Sequence, residues 1–206
     1  MLATDELRAC WFPAAPDDGL PRRQRLDGLL RRVLSPLLGL PPEALLFGRE
    51  DKGRPFLRHP GAPDFNLSDT AGGTLVAVCA RGRVGADLEQ LQRRPPVARL
   101  AARYFAAAEA RALAAMDAEA ARQAFLFLWT AKEASCKATG TGIFGFLPRW
   151  QFEAGSAPPL LRGAPSDAGD RSRWEFRRLS PTPLHTAVIA LRDGAGLDLS
   201  SYQFSA

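Results

Sequence analysis

The stretch Trp129-Thr130-Ala131-Lys132-Glu133-Ala134-Ser135-Cys136-Lys137-Ala138-Thr139-Gly140 lies at the end of a long Ala-rich segment. Asp117, at the start of that segment, is a residue type favoured at helix N-caps, and Gly140 is typical of the position after a helix. We therefore predict one helix from Asp117 to Thr139. On this helix Trp129, Glu133 and Lys137 are spaced at i, i+4 and i+8 and share a face, with Lys132 beside them. Glu–Lys pairs at this spacing are common on ordinary amphipathic helices, so the pattern alone does not establish a site.

A second motif, Val84-Gly85-Ala86-Asp87-Leu88-Glu89, predicts a strand with two carboxylates on one face. Neighbouring carboxylates repel each other unless a cation lies between them, although a solvated edge strand would also carry such a pair. Gly85 allows a close backbone approach or unusual dihedral angles. Together with Glu133, these acids would suit a Mg²⁺ ion whose remaining ligands are water and substrate phosphates. Lysines beside such an ion would suit a pyrophosphate.

The rest of the chain predicts two α+β lobes, an N-terminal lobe over residues 1–82 and a C-terminal lobe over residues 83–206. Periodicity and turn residues predict helices at Leu26–Leu37 and Val97–Met116, and a hairpin turn at Arg81-Gly82. Strands are predicted at Ala44–Phe47, Thr74–Ala80, Val84–Glu89, Trp150–Glu153, Trp174–Leu179 and His185–Leu191. Gly155–Arg171 is predicted to be an exposed linker.

Composition narrows the range of functions. The 27 Lys plus Arg residues exceed the 22 Asp plus Glu residues and give a charge of +5, which favours nucleic acid, phosphorylated small molecules or acidic proteins as partners. Three dispersed cysteines and two histidines indicate neither a disulfide framework nor a zinc site. The apolar runs are too short for a membrane span and no secretory signal is evident, so we expect a soluble, cytoplasmic protein.

Only three of the basic residues are lysines, Lys52, Lys132 and Lys137, and all three fall in candidate motifs. If arginine has replaced lysine wherever either serves, these positions require a compact ammonium group. Lys52-Gly53-Arg54-Pro55 and Phe65-Asn66-Leu67-Ser68 are predicted to lie in loops before the strand at Thr74. Such loops can cradle a phosphate, although the signal is weak without the other two motifs.

Taken in order, the motifs resemble those of the Sfp-type 4′-phosphopantetheinyl transferase family, over residues 20–153. They are Lys52–Pro55, Phe65–Asp69, Gly85–Glu89, Phe105–Glu109 and Trp129–Gly140. The resemblance implies an α+β fold of two similar lobes related by a pseudo-two-fold, with the active site in the cleft between them. It also implies an enzyme of the holo-[acyl-carrier-protein] synthase type. Such an enzyme transfers the 4′-phosphopantetheine arm of coenzyme A to a serine of an apo acyl or peptidyl carrier protein and releases adenosine 3′,5′-bisphosphate.

The resemblance also implies roles for individual residues. Asp87, Glu89 and Glu133 would hold Mg²⁺, and Glu133 would take the proton of the carrier serine. Lys137 would stabilise charge on the pyrophosphate, and Lys132 would contact coenzyme A phosphates. Lys52 and Ser68 would line the nucleotide side, with Arg22 and Arg23 near the 3′-phosphate. We expect a monomer acting on an acidic carrier protein, with neither nucleic acid nor a membrane as partner.

The sequence departs from the family pattern at Asp69, where the family usually has a histidine that helps to bind the 3′-phosphate. Ala86 replaces a larger residue, and Thr141 replaces a basic one. Two alternatives therefore remain at this point. One is a basic nucleic-acid-binding protein, and the other is a catalytically impaired homologue of the transferase.

Overall fold

The computed structural model describes residues 2–14 and 19–203, in an arrangement of helices and mainly antiparallel sheets. The first half of the chain contains β1 (Glu6–Pro13), α1 (Arg22–Leu38), β2 (Phe47–Arg49), β3 (Pro55–Leu57), β4 (Asp64–Thr70) and β5 (Gly73–Cys79). The second half contains β6 (Arg83–Gln90), α2 (Val97–Tyr104), α3 (Ala107–Ala114), α4 (Ala118–Thr139), β7 (Gln151–Phe152), β8 (Leu161–Gly163), β9 (Trp174–Leu179), β10 (His185–Arg192) and β11 (Asp198–Gln203). The predicted α+β class is confirmed.

The two halves follow the same path. β5 lies between β1 and β4 in the first sheet, and β10 lies between β6 and β9 in the second, with every one of these pairs antiparallel. Each half also places its helices after its first strand, and then a short hairpin, β2–β3 or β7–β8. The halves are therefore similar lobes of the kind that the resemblance implied.

The last described strand crosses back to the first sheet. β11 pairs in parallel with β1, so that Glu6 lies opposite Asp198 and Trp11 opposite Gln203. The proposed boundary between residues 82 and 83 separates β5 from β6, but the residues after 197 join the sheet of the other half. The two lobes are thus interlocked by one strand.

The hairpin predicted at Arg81-Gly82 is wrong, because β5 and β6 belong to different sheets. Gly82 has φ +77°, and a Cβ there would lie 2.3 Å from the carbonyl oxygen of Arg192, so the turn packs against the end of β10. The first N–H groups of β6 face side chains of β4 rather than β5, since the Val84 N–H donates to the Asp64 carboxylate at 2.7 Å. Strand alternation specifies which face is buried but not which strand pairs alongside.

Other predictions of local structure also differ, and Phe65–Ser68, predicted to lie in a loop, belongs to the strand β4. The helix predicted over Val97–Met116 breaks at Phe105, which is extended, because the Glu109 carboxylate accepts the Ala106 N–H at 2.8 Å and starts a new helix. Ala44 ends a 3₁₀ turn, so the strand there begins only at Phe47. The linker predicted over 155–171 contains the short strand β8.

The long helix α4 agrees with its prediction and organises the second half. The Asp117 carboxylate caps it by accepting the N–H groups of Glu119 and Ala120, and Gly140 ends it with φ +73°. Its buried face, including Phe125 and Leu128, packs in the main core of the second half. A separate core lies between the two sheets and draws residues from both halves. Among the described residues, no helix has both the length and the apolar character needed to cross a membrane.

Candidate active site

The site forms where β6 and α4 come into backbone contact at Gly85. A Cβ at Gly85 would lie 1.9 Å from the carbonyl oxygen of Ala134 and 2.5 Å from the amide nitrogen of Ala138. Only glycine allows this approach, as the sequence suggested. Because the residues after Gly85 alternate, the carboxylates of β6 face α4, whereas Ala86 and Leu88 pack in the core between the sheets. The small Ala86 is fully buried there and lies outside the site.

Lys137 and Asp87 form the centre of the site. The Lys137 Nζ donates to Asp87 Oδ1 at 2.6 Å and to Ser68 Oγ at 3.1 Å, and the Ser68 hydroxyl donates to the same carboxylate oxygen at 2.9 Å. Asp87 is almost fully buried, while the Lys137 side chain remains partly open to the cleft. Ser68 comes from β4 in the first half, so both halves build this cluster.

Glu133 and Glu89 face the same region. Burial, followed by the negative charge of Asp87, raises the pKa of Glu133 to about 7. Burial also raises the pKa of Glu89 to about 7, although an ion pair with Arg93 opposes that rise. Together with Asp87 and Lys137, these carboxylates line a cavity of about 390 Å³. Desolvated carboxylates repel each other, and a bound cation would relieve this repulsion.

The donor set of this cavity suits a hard divalent cation, because Asp87, Glu89 and Glu133 line one space together with a fourth acid, Asp69. Within the described residues, however, no group of three His, Cys, Asp or Glu side chains is arranged closely enough to hold a metal ion as it stands. The Asp87 carboxylate binds the Lys137 ammonium instead. The magnesium site over Asp87, Glu89 and Glu133 therefore stays a prediction.

A larger cleft of about 1130 Å³ adjoins the carboxylate cavity, and Arg22 and Lys137 line both. Its lining is strongly cationic and includes Arg22, Arg23, Arg49, Lys52, Arg54, Arg58 and Lys137. Such a surface suits a ligand carrying several phosphates. A mainly cationic cleft thus adjoins a cavity rich in carboxylates, and the two share Arg22 and Lys137.

Sequence comparison places this arrangement among known proteins. The profile of the 4′-phosphopantetheinyl transferase superfamily matches residues 83–191, more than half of the chain. The 4′-phosphopantetheinyl transferase HetI of Nostoc sp. is 37% identical over 167 residues, which cover 80% of this chain and 68% of that protein. The slr0495 protein of Synechocystis sp. is 35% identical over 157 residues, which cover 75% of this chain and 61% of that protein.

The chain belongs to the 4′-phosphopantetheinyl transferase superfamily. It spans about three fifths to two thirds of the length of these two relatives. Among solved structures, the holo-[acyl-carrier-protein] synthase of Thermotoga maritima is similar with a TM-score of 0.42 and 24% identity, over 53% of this chain and 62% of that one.

Most residues assigned by the superfamily resemblance line one of the two spaces. Lys52, Arg22 and Arg23 line the cationic cleft, and Glu133, Lys137, Asp87 and Glu89 line the carboxylate cavity. Ser68 was expected on the nucleotide side, but it lies in the carboxylate cavity beside Asp87 and Lys137.

The role expected for Lys132 is wrong for this chain, because its side chain is fully buried and cannot contact a ligand in the cleft. Its ammonium pairs with Glu109 at 2.8 Å and donates to the carbonyl oxygens of Leu147 and Trp150. These three acceptors match the three N–H groups of the ammonium. Adjacent residues on a helix point about 100° apart, so Lys132 enters the core while Glu133 faces the site.

Asp69, the main departure from the superfamily pattern, accepts hydrogen bonds from Arg22 Nε at 2.8 Å and from Thr74 Oγ1 at 2.6 Å. It thus holds Arg22, which lines both spaces. Two other charged residues near the site, the buried Arg54 and the half-buried Asp64, were not predicted from the sequence. The alternation of polar residues Asp64, Asn66 and Ser68 along β4 was the signal available for Asp64, because such a row needs polar partners when the strand is buried.

Proposed function

We propose that this chain transfers the 4′-phosphopantetheine arm of coenzyme A to a serine hydroxyl of an apo acyl or peptidyl carrier protein in a Mg²⁺-dependent reaction. The observation that carries the proposal is the junction of a cationic cleft with the carboxylate cavity at Lys137. Superfamily membership supports it, and the relative HetI is itself named a 4′-phosphopantetheinyl transferase.

In this proposal the phosphates of coenzyme A lie in the cationic cleft, with the pyrophosphate next to Lys137. Lys52, Arg22 and Arg23 hold the nucleotide end through charge-assisted hydrogen bonds. The Lys137 ammonium exchanges its contact with Asp87 for one with a phosphate oxygen. Asp87, Glu89 and Glu133 would hold Mg²⁺, which would neutralise charge on the pyrophosphate.

The transfer step is a displacement at the β-phosphorus. The carrier serine oxygen forms a bond to this phosphorus while the bond to the bridging oxygen breaks, and adenosine 3′,5′-bisphosphate leaves. The proton of the serine hydroxyl passes to the Glu133 carboxylate, directly or through a water molecule. Lys137 stabilises the negative charge that develops on the leaving phosphate. The net positive charge of the chain would favour an acidic carrier protein.

The test is to incubate the purified protein with coenzyme A, Mg²⁺ and a panel of apo carrier proteins and to read the carrier mass. We expect a mass increase on the carrier serine, loss of transfer when EDTA replaces Mg²⁺, and loss of transfer in Glu133→Gln. Glu153→Gln is the matched control, because Glu153 lies on the surface in an ion pair with Arg162.

The panel also distinguishes carriers of the fatty-acid type from peptidyl carriers and thereby decides whether the chain is of the holo-[acyl-carrier-protein] synthase type. No modified carrier together with no binding of coenzyme A would overturn the proposal. Salt-sensitive nucleic-acid binding that is unaffected by Glu133→Gln would favour the nucleic-acid alternative.

A further inference from the structure

We propose that Arg54 is a positioning residue whose guanidinium, held by Asp64, fixes the end of α4 that carries Lys137. Arg54 belongs to the Lys52–Pro55 motif, of which only the lysine had a role. The inference rests on the proposed function for its kinetic consequences, but its structural part can be measured without substrate.

Arg54 is only 6% exposed. Its Nη1 and Nη2 donate to the two carboxylate oxygens of Asp64 at 2.9 and 2.6 Å. Nη2 also donates to the carbonyl oxygens of Phe65 and Val84, and Nε donates to that of Lys137 at 2.9 Å. A guanidinium has five N–H groups in a rigid fork, and these contacts engage four of them. Although Arg54 lies against the cationic cleft, its donors face inward and are committed to the protein.

The Asp64 carboxylate links this guanidinium to β6. Asp64 Oδ2 accepts the Val84 N–H at 2.7 Å, and two residues along β4 the Asn66 side chain accepts the Ala86 N–H at 3.0 Å. The Ser68 hydroxyl continues the row by donating to Asp87. β4 therefore holds β6 through alternating side chains rather than through a backbone ladder. Arg54 and Asp64 form the most deeply buried charge pair of this row.

The contact with Lys137 lies at the end of a helix, where carbonyl groups lack partners within the helix. Lys137 is near the C-terminus of α4, so a cation on its carbonyl both satisfies an acceptor and complements the helix dipole. The same residue sends its side chain to Asp87 and Ser68. One guanidinium thus ties the backbone of Lys137 to the strands that carry its side-chain partners. A lysine at position 54 would keep the charge, but it has no fork to span these acceptors.

The first experiment compares Arg54→Lys with Arg173→Lys. Arg173 also forms a two-pronged pair, with Asp193, but on the surface outside the site. We expect kcat to fall about 10-fold or more in Arg54→Lys, because small displacements of a catalytic group are costly, with the Kd for coenzyme A within about twofold. Arg173→Lys should change neither quantity. A loss of coenzyme A affinity as large as the loss of kcat would overturn the proposal, because it would make Arg54 a ligand-binding residue.

A double-mutant cycle measures whether the effects of two substitutions on kcat are additive, and a general loss of stability would not make them non-additive. If Arg54 acts through Lys137, adding Arg54→Lys to Lys137→Ala should cost less than about a further twofold in kcat. Full additivity would contradict the proposal. If Arg54→Lys does not fold, Asp64→Asn provides the milder change, and the same non-additivity is expected with it.

Amide hydrogen exchange separates this inference from the proposed function, because it needs neither substrate nor turnover. Arg54→Lys should speed exchange at residues 135–141 and in β6, relative to the wild-type chain and to Arg173→Lys. Unchanged exchange in these segments would overturn the positioning role even if transfer is observed. Faster exchange in Arg54→Lys, when the wild-type chain neither binds coenzyme A nor modifies any carrier protein, would leave the positioning role intact and reject the transferase proposal.

Discussion

β1 and β6 open the two halves of the chain, have equal length and pair antiparallel with β5 and β10, respectively. The side chains on one face of these two strands nevertheless have different roles. Alternate residues of both strands point into the shared core between the sheets and are apolar: Leu7, Ala9 and Trp11 on β1, and Val84, Ala86 and Leu88 on β6. On the opposite face, the fifth and seventh residues of β1 are Cys10 and Phe12, which pack in the core beneath α1. The fifth and seventh residues of β6 are Asp87 and Glu89.

This difference shows that equivalent strand positions can hold apolar core residues in one half and carboxylates of the candidate site in the other. In the second half, Gly85 allows the backbone of α4 to contact β6. The next two positions of β6 on the face towards α4 are carboxylates. The second half thereby supplies three of the four acids that line the carboxylate cavity, and Asp69 of the first half is the fourth. The first half instead contributes Ser68, Lys52 and Arg22 to the spaces around them.

The most disruptive test of this comparison is Gly85→Ala. Its methyl group would clash with the backbone of α4, so we expect a loss of about 3 kcal/mol in unfolding free energy and loss of transfer activity. The matched control is Gly28→Ala on the exposed surface of α1, where a Cβ meets nothing within 4 Å. It should be neutral or stabilise by up to about 1 kcal/mol, because alanine favours helices. Chemical denaturation measures both, and equal effects would refute the role given to Gly85.

Lys137→Arg should be the next largest effect, with kcat lower by about 100-fold and the fold retained. A guanidinium spreads its charge over a planar fork and does not reproduce the compact Nζ that reaches both Asp87 and Ser68. Lys52→Arg should act mainly on the KM for coenzyme A, since Lys52 is an exposed residue of the cleft in the first half. Steady-state kinetics with circular dichroism would check both. Near-normal turnover in Lys137→Arg would leave the scarcity of lysine without functional meaning.

Asp69→Asn should raise the affinity for coenzyme A by about two- to fivefold. The substitution removes a negative charge beside the cleft and releases Arg22, whose exposed ion pair contributes little to stability. Titration calorimetry with coenzyme A alone measures the change, and Asp69→His tests the residue that is usual in the family. Weaker binding in Asp69→Asn would show instead that Asp69 is needed to orient Arg22.

The smallest expected effect concerns the contact between β1 and β11, a strand that has no counterpart in the second sheet. Burial would raise the pKa of Glu6, but hydrogen bonds from Arg8 and Ser200 outweigh it and lower the pKa from 4.5 to about 2. The carboxylate therefore stabilises the fold fully above pH 4.5, and this contribution is lost as the pH falls towards 2. In Glu6→Gln the unfolding free energy should depend less steeply on pH between these values. The exposed Glu43, substituted in the same way, provides the control; an unchanged slope in Glu6→Gln would contradict the expectation.

Much of the fold follows from local sequence signals. The helix from Asp117 to Gly140 has a capping residue at each end, and β6, β9 and β10 lie where β-rich runs predicted them. The pairing of strands does not follow, because β5 and β6 are neighbours in sequence but belong to different sheets. That separation depends on contacts between distant residues, such as Asp64 with Val84. The local periodicity of the sequence does not predict such long-range contacts.

The site could be predicted in its residue types but only partly in its geometry. The acids of β6 and the face of α4 that carries Glu133 and Lys137 meet as their spacing indicated. Lys132 could not be placed, because two adjacent charged residues on a helix look alike in sequence, although one enters the core and the other faces the site. Its partner Glu109 lies 23 positions earlier, on a helix whose start depends on that same glutamate. The motif alone therefore does not show which of its residues stabilise the fold and which line the site.

The pairing of β11 with β1 makes the order of synthesis matter for this chain. The first sheet has its β1 edge exposed until residues 198–203 have emerged, although every other strand of that sheet is complete by residue 79. An unpaired edge strand is a template for association with other chains. The nascent first half thus carries an open edge throughout the synthesis of the second half, and the same strand that closes this edge also joins the two halves into one unit.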